Sequence, residues 1–269
     1  MSSLRLLRAF RALRTPQNTK TMSSHFFFPS PSPRHLGLPL SRFYSRGSGG
    51  GYGTHSQATS NMTVLYTLMG TNIAIFSYAM YLKVQATQGF SRPFTNFMRK
   101  MTLNLTEFRN GAYQTIVTSM FTHADIGHVL SNMVTVYFLG SFLAQAPVIT
   151  PGRYLIIALG SGISGSVGYL YNRYLQTTKN TGMPDNKSGL GFSGAVMGIS
   201  TVAACLAPQT RVAIWGIIPM PLWALVTGYA VYDGYYINNA DSRIAHAGHL
   251  GGLAFGLLYY FARLRGVRY

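Results

Sequence analysis

Residues 62–82, MTVLYTLMGTNIAIFSYAMYL, carry no charged side chain at all. A bilayer core takes about 20 apolar residues per helix, so a run of this length and purity reads as a membrane span. Further apolar runs fall at 126–145, 153–174, 190–207, 211–231 and 244–263, joined by short connections. Composition points the same way. Only 10% of the 269 residues are Asp, Glu, Lys or Arg, and 48% are hydrophobic; an ordinary soluble domain carries about 25% charged residues. The expectation is an all-α membrane protein, with six transmembrane helices packed as one bundle.

The runs hold Gly, Ser, Thr and Asn in numbers that suit close helix–helix approach more than lipid contact. The last ends at Arg263, Arg265 and Arg268 beside tyrosines, the composition of an interfacial anchor. Between the first two runs, 83–117 mixes Lys83, Arg92, Arg99, Lys100 and Arg109 with Phe90, Phe94, Phe97 and Phe108. That mixture fits a segment lying along the membrane surface, or an exposed loop.

The net charge of +17 comes from 22 basic and 5 acidic residues. It does not mark a nucleic-acid partner, because the basic residues form no cluster with interleaved aromatics. They lie in an N-terminal arm and between the apolar runs. No Asp or Glu precedes Glu107. The opening MSSLRLLRAFRALR sets Arg5, Arg8, Arg11 and Arg14 along one side of a helix and Leu4, Leu7 and Phe10 along another. An acid-poor, Arg- and Ser-rich amphipathic start is an organelle transit peptide in composition. Arg42-Phe43-Tyr44-Ser45 resembles a mitochondrial processing site with cleavage after Tyr44. Residues 1–44 are therefore read as a mitochondrial transit peptide, 45–60 as a Gly- and Ser-rich flexible linker, and 61–265 as the membrane domain. A plastid address and a disordered basic tail are the competing readings of the N-terminus. The single cysteine, Cys205, excludes an internal disulfide and any cysteine-rich zinc site.

Ionisable groups inside membrane spans are costly and by default mark function. The second run opens FTHADIGHVLSNM, which sets His128 and Asn132 one helical turn apart on one face. The fourth contains Ser193 between Gly191 and Gly194, and the sixth contains His246 and His249 ahead of Gly252 and Gly256. Taken singly, each has a structural explanation. Gly194 and Gly198 form a G-x-x-x-G packing stripe, and a membrane histidine can simply bridge helices. Their joint occurrence on three helices points to chemistry. A serine hydroxyl needs an adjacent base to become a nucleophile, and histidine is the usual base near neutral pH. Asn, His and backbone N–H groups are suitable donors to a developing oxyanion. The only acid within an apolar run is Asp125, at the mouth of the second, so the inventory leaves a two-member Ser–His site. Glycines at 252 and 256 facing those at 194 and 198 would bring the two helices close enough for imidazole to reach hydroxyl.

The motifs H128-V-L-S-N132, G191-F-S-G194 and H249-L-G-G252-L-A-F-G256, in this order on these helices, resemble those of the rhomboid family of intramembrane serine proteases. The resemblance covers about 62–265. It implies Ser193 as nucleophile and His249, rather than His246, as its base, and leaves His246 without a role. It further implies that the Ser193 backbone N–H, His128 and Asn132 hold the oxyanion. The chain departs from the family at Tyr113-Gln114, where many members carry Trp-Arg, and at Met197, where many carry an aromatic one turn after the serine. The implied partners are single-span membrane protein substrates and membrane lipids, with the mitochondrial inner membrane as the location. No metal or nucleotide motif is present, so no cofactor is expected. Two rival readings are a non-proteolytic relative that binds transmembrane helices for quality control and a small transporter or channel. The second predicts recurrent mid-membrane charges and an internal repeat, neither of which the sequence carries.

Overall fold

A computed structural model describes residues 51–179, 185–214, 218–239 and 242–266. The transit peptide expected at 1–44, and residues 45–50, lie outside the described residues. The rest is an all-α bundle. Its main helices are α1 (Gly51–Thr87), α5 (Ile126–Ala144), α6 (Pro151–Lys179), α7 (Ser193–Leu206), α8 (Leu222–Tyr236) and α9 (His246–Tyr259), the last continued by a π-turn at Tyr260–Leu264. Between α1 and α5 come α2 (Ser91–Met101), α3 (Leu105–Arg109) and α4 (Thr115–Thr118). Among the described residues three helices, within α1, α5 and α6, are long and apolar enough to cross a membrane by themselves.

The helix α1 begins earlier than composition suggested. Residues 51–60, read as linker, are helical. Local propensity is overruled here by tertiary bonding. The Gln57 amide donates to the carbonyls of Pro147 and Ile149 at 2.8 Å each, and the Asn61 amide to those of Ala144 at 2.9 Å and Ile149 at 2.6 Å. These bonds satisfy carbonyls at and just beyond the end of α5, groups that a helix terminus otherwise leaves open.

The fifth apolar run is also corrected. Its first part, 211–221, is not helical: Arg211–Ile214 pairs antiparallel with Ile218–Pro221, Ile214 opposite Ile218, as strands β3 and β4. Pro219 and Pro221 cannot sit in a helix interior but are tolerated at the open edge of a two-stranded ribbon. The helix that follows, α8, starts at Leu222 and reaches Tyr236, five residues past the expected end.

Leu65, Leu143, Ile149, Tyr154, Ile157 and Ile199 are wholly buried and join α1, α5, α6 and α7 in one core. Large apolar side chains also point outward, among them Ile73, Leu130, Ile156 and Leu258. That is the pattern expected where lipid takes the place of water. The expected glycine seam is present. A Cβ at Gly252 would collide with the Gly194 carbonyl oxygen, and one at Gly256 would lie 2.7 Å from that of Gly198.

The segment between α1 and α5 is folded into a cap that packs against α1, α6 and the turn at 185–189. Leu103–Asn104 (β1) pairs antiparallel with Ser188–Gly189 (β2). Asn104 caps α3, accepting from the N–H groups of Thr106 and Glu107, and its amide donates to the carbonyls of Asp185 at 2.7 Å and Lys187 at 2.9 Å. Arg173 near the end of α6 forms a two-pronged ion pair with Asp185. Within the cap, α2 leaves Arg92, Arg99 and Lys100 exposed while Phe94 and Phe97 turn half inward, Phe97 edge-on to Tyr78 at 5.4 Å. It is the amphipathic element that the mixed composition of 83–117 anticipated.

Candidate active site

Five helix ends converge at one cavity. The N-terminal turns of α5, α7 and α9 bring His128 and Asn132, Ser193, and His246 and His249, respectively. The C-terminal turns of α6 and α8 complete the ring. Ser193, His249, His128 and Asn132 line a single cavity of about 840 Å³, together with Met197 and Arg243. All four side chains assigned chemistry from the sequence are thus brought together.

Ser193 opens α7, and Phe192 ahead of it supplies no side-chain cap. The first N–H groups of a helix lack intrahelical partners and carry its positive dipole end, so the Ser193 N–H sits where negative charge is favoured. The turn into α7 is fixed by bonds to the first loop: Gly191 N–H donates to the Ser119 carbonyl at 2.9 Å, and Phe192 N–H to His123 Nε2 at 3.4 Å. Gly191 has φ +120°, and a Cβ there would lie 2.7 Å from His128 Cε1 and 2.8 Å from Nε2. Glycine is required twice over at this position, for its backbone conformation and for the approach of the imidazole. A second pocket of about 30 Å³, bordered by Ser119, Gly191 and Ser193, has room for a water molecule.

Across the glycine seam His249 Nε2 stands 2.9 Å from Ser193 Oγ. A nucleophile and its base within hydrogen-bond reach is the geometric requirement for general-base activation. The bond joins residues 56 positions apart on α7 and α9. His128 and Asn132 stand one turn apart on the wall of α5. The Asn132 amide donates to the His128 carbonyl at 2.9 Å, which spends one of its two N–H groups and leaves a second. Asp125 caps α5 by accepting from His128 N–H at 2.9 Å and so fixes the turn that carries the histidine.

The site is not limited to two members. Asp233 in the last turn of α8 is 1% exposed. Its Oδ2 lies 3.0 Å and its Oδ1 3.1 Å from His249 Nδ1. Ser193, His249 and Asp233 therefore form a Ser–His–Asp array, and the expectation that no acid reaches the site is overturned. The sequence reading ended its fifth run at residue 231 and so placed Asp233 outside the membrane helices. The available signal was an acid in the middle of the apolar stretch GYAVYDGYY, which by the cost of burial marks function. The same carboxylate also meets His246, whose Nδ1 is 2.6 Å from Oδ1.

The two departures from the motif pattern fall away from these contacts. Tyr113 is 63% exposed in the cap, edge-on to Phe108 at 5.2 Å. Met197 is buried on the cavity wall one turn after Ser193.

The family model for the Rhomboid domain matches residues 109–266. The chain is 33% identical over 179 residues to RHOMBOID-like protein 12, mitochondrial, of Arabidopsis thaliana, an alignment covering 64% of this chain and 52% of that protein. It is 23% identical over 203 residues to Rhomboid protein 1, mitochondrial, of Saccharomyces cerevisiae, covering 75% and 53%. With the human Presenilin-associated rhomboid-like protein, mitochondrial, it shares 26% identity over 150 residues, covering 54% and 36%. The chain spans about half the length of the first two relatives and about a third of the human one.

Proposed function

The chain belongs to the rhomboid family, and from that premise we propose that it is an intramembrane serine endopeptidase acting on single-span membrane proteins. The observation that carries the reading is the 2.9 Å contact between Ser193 Oγ and His249 Nε2 within a cavity bordered by His128 and Asn132. In the reaction, Ser193 Oγ bonds to the scissile carbonyl carbon while its proton passes to His249 Nε2. Negative charge develops on the carbonyl oxygen, with the Ser193 N–H and the side chains of His128 and Asn132 as its donors. The C–N bond then breaks as His249 returns the proton to the leaving nitrogen, and water cleaves the acyl ester by the same steps in reverse order. No metal or cofactor enters this scheme.

Asp233 accepts from His249 Nδ1–H, which aims Nε2 at the serine and balances the charge His249 gains on taking the proton. Asp233 is buried, which strengthens its contact with His249, while Ser193 and His249 face the cavity, where the hydrolytic water can reach them.

The mitochondrial relatives and the membrane-spanning helices support a mitochondrial membrane protein. The inner membrane, and a presequence removed after Tyr44, extend that reading.

The test is cleavage of a labelled transmembrane substrate by the detergent-purified full chain, comparing wild type with Ser193→Ala and His249→Ala. Loss in both variants with unchanged melting behaviour supports the proposal. Cleavage that survives either change refutes it. A wild type that neither cleaves nor labels at Ser193 with a fluorophosphonate favours the helix-binding, non-proteolytic reading.

A further inference from the structure

His246 stands outside the Ser193–His249–Asp233 array, yet it is 4% exposed and both its ring nitrogens are engaged. Burying an imidazole is costly unless it is fully hydrogen-bonded. Nδ1 stands 2.6 Å from Asp233 Oδ1 and Nε2 2.8 Å from Ser242 Oγ. The network dictates the proton positions. A carboxylate only accepts, so Nδ1 of His246 and Nδ1 of His249 both carry protons. In neutral rings each Nε2 then accepts, which points the Ser242 hydroxyl proton at His246 and the Ser193 hydroxyl proton at His249. Ser242 Oγ in turn accepts from the Ile244 N–H at 3.1 Å. Two runs of donors therefore converge on the Asp233 carboxylate, one from the Ile244 N–H through Ser242 and His246, the other from the Ser193 hydroxyl through His249.

We propose that His246 and Ser242 are positioning residues of the active site, holding the Asp233 carboxylate in the one orientation that serves His249. The inference rests on the protease reading given above. The side-chain torsion that turns an aspartate carboxyl about its axis is broad and soft. His249 alone, contacting Oδ1 at 3.1 Å and Oδ2 at 3.0 Å, leaves that rotation weakly restrained. The shorter bond from His246 pins Oδ1 and leaves Oδ2 to His249. The His246 ring is itself held, stacked on Tyr236 at 5.9 Å and edge-on to Tyr232 at 5.6 Å. Ser242 and Ile244 line the same cavity as Ser193 and His249.

The experiment measures kcat and KM of the full chain on a fluorogenic transmembrane peptide for wild type, His246→Leu, His246→Asn, Ser242→Ala and Ser242→Thr. Each protein is checked by its melting temperature. His246→Leu is expected to lose about 10–100-fold in kcat, by analogy with loss of the hydrogen-bond partner that orients a metal-ligating histidine or carboxylate, with KM little changed. His246→Asn keeps an N–H donor in the place of Nδ1 and recovers most of the rate. Ser242→Ala shows a smaller loss, which Ser242→Thr restores. Wild-type kcat in His246→Leu, or equal impairment of the Leu and Asn variants at matched melting temperature, overturns the proposal. If His246→Leu does not fold, the Ser242 pair decides: equal kcat in wild type, Ser242→Ala and Ser242→Thr overturns it. A wild type that neither cleaves the peptide nor reacts with a fluorophosphonate overturns the protease reading itself, and is distinguished from failure of the relay by that control.

Discussion

Asp233 Oδ2, in the last turn of α8, stands 3.0 Å from His249 Nδ1 in the first turn of α9. The two helices are joined by a connection of nine residues, 237–245, and the contact sets the direction of the His249 imidazole. A histidine base is competent only in the tautomer that presents an unprotonated Nε2 to the serine, and a carboxylate at Nδ1 selects that tautomer.

Asp233→Asn tests this selection. An amide can donate to Nδ1 and so favour the wrong tautomer. The expected loss in kcat is about 10²–10⁴-fold, the larger figure being that of the corresponding change in a Ser–His–Asp triad. Steady-state cleavage of a transmembrane peptide measures it. Near wild-type kcat would mean that Ser193 and His249 act as an independent pair and that Asp233 serves only to bury the two imidazoles.

How the site was legible follows from the same residues. His128 and Asn132 are legible as a pair because a separation of four residues means a shared helix face, whereas Ser193, and His249 in preference to His246, are legible through the resemblance of their motifs to those of the rhomboid family. The glycine seam was legible for a similar reason, since small residues one turn apart mark a close approach. Asp233 was not. It lies 16 positions before His249 and 40 after Ser193, and no local period ties it to either. The error came from a helix boundary. Reading 211–231 as one span ignored Pro219 and Pro221, which end the hairpin and shift the helix toward Asp233. The linker boundary failed in the opposite sense, because the bonds that make residues 51–60 helical go to backbone carbonyls about 90 positions away. Composition carries no trace of such contacts.

Gly252→Ala is expected to part the helices that carry Ser193 and His249. The added methyl collides with the Gly194 carbonyl oxygen, a backbone atom that cannot rotate away. Overpacking of this kind costs about 1–3 kcal/mol, and the separation lengthens the Ser193–His249 contact. The melting temperature in detergent should fall and kcat with it. Gly228→Ala on α8 is the control: no atom lies within 4 Å of its Cβ position, so neither quantity should fall.

Arg173→Met removes one half of a pair whose acid, Asp185, has a side chain only 1% exposed. Breaking a buried ion pair by deleting one partner costs about 3–5 kcal/mol, because the remaining charge is stranded. Asp185 also accepts from Lys187 N–H at 3.1 Å, and its own N–H donates to Thr106 at 3.2 Å, so the loss is expected to loosen the whole turn leading to β2. Limited proteolysis should cut the variant at 185–189 faster than wild type. The double variant Arg173→Met/Asp185→Leu should regain stability relative to the single one, and unchanged proteolysis in Arg173→Met would show that the cap is held by β1–β2 pairing and Asn104 instead.

His123 makes the fold sensitive to acid. It lies in the turn before α5, 1% exposed, its ring edge-on to His128 at 5.0 Å. Burial, and next the neighbouring His128, push its pKa down to about 4 from the ordinary 6.5. Its Nε2 accepts from Phe192 N–H, the bond that fixes the residue before Ser193, and only the neutral ring can accept. In the unfolded chain the ring protonates near 6.5, so between about 6.5 and 4 the unfolded state binds more protons than the native one. Stability therefore falls as the pH drops through that window and is independent of this group above it. At about 1.4 kcal/mol per unit, the full effect is on the order of 3 kcal/mol. His123→Gln keeps an acceptor near the position of Nε2 without titrating. Melting temperatures at pH 7 and pH 5 should differ less in the variant than in wild type. Equal differences would place the acid sensitivity on the other histidines.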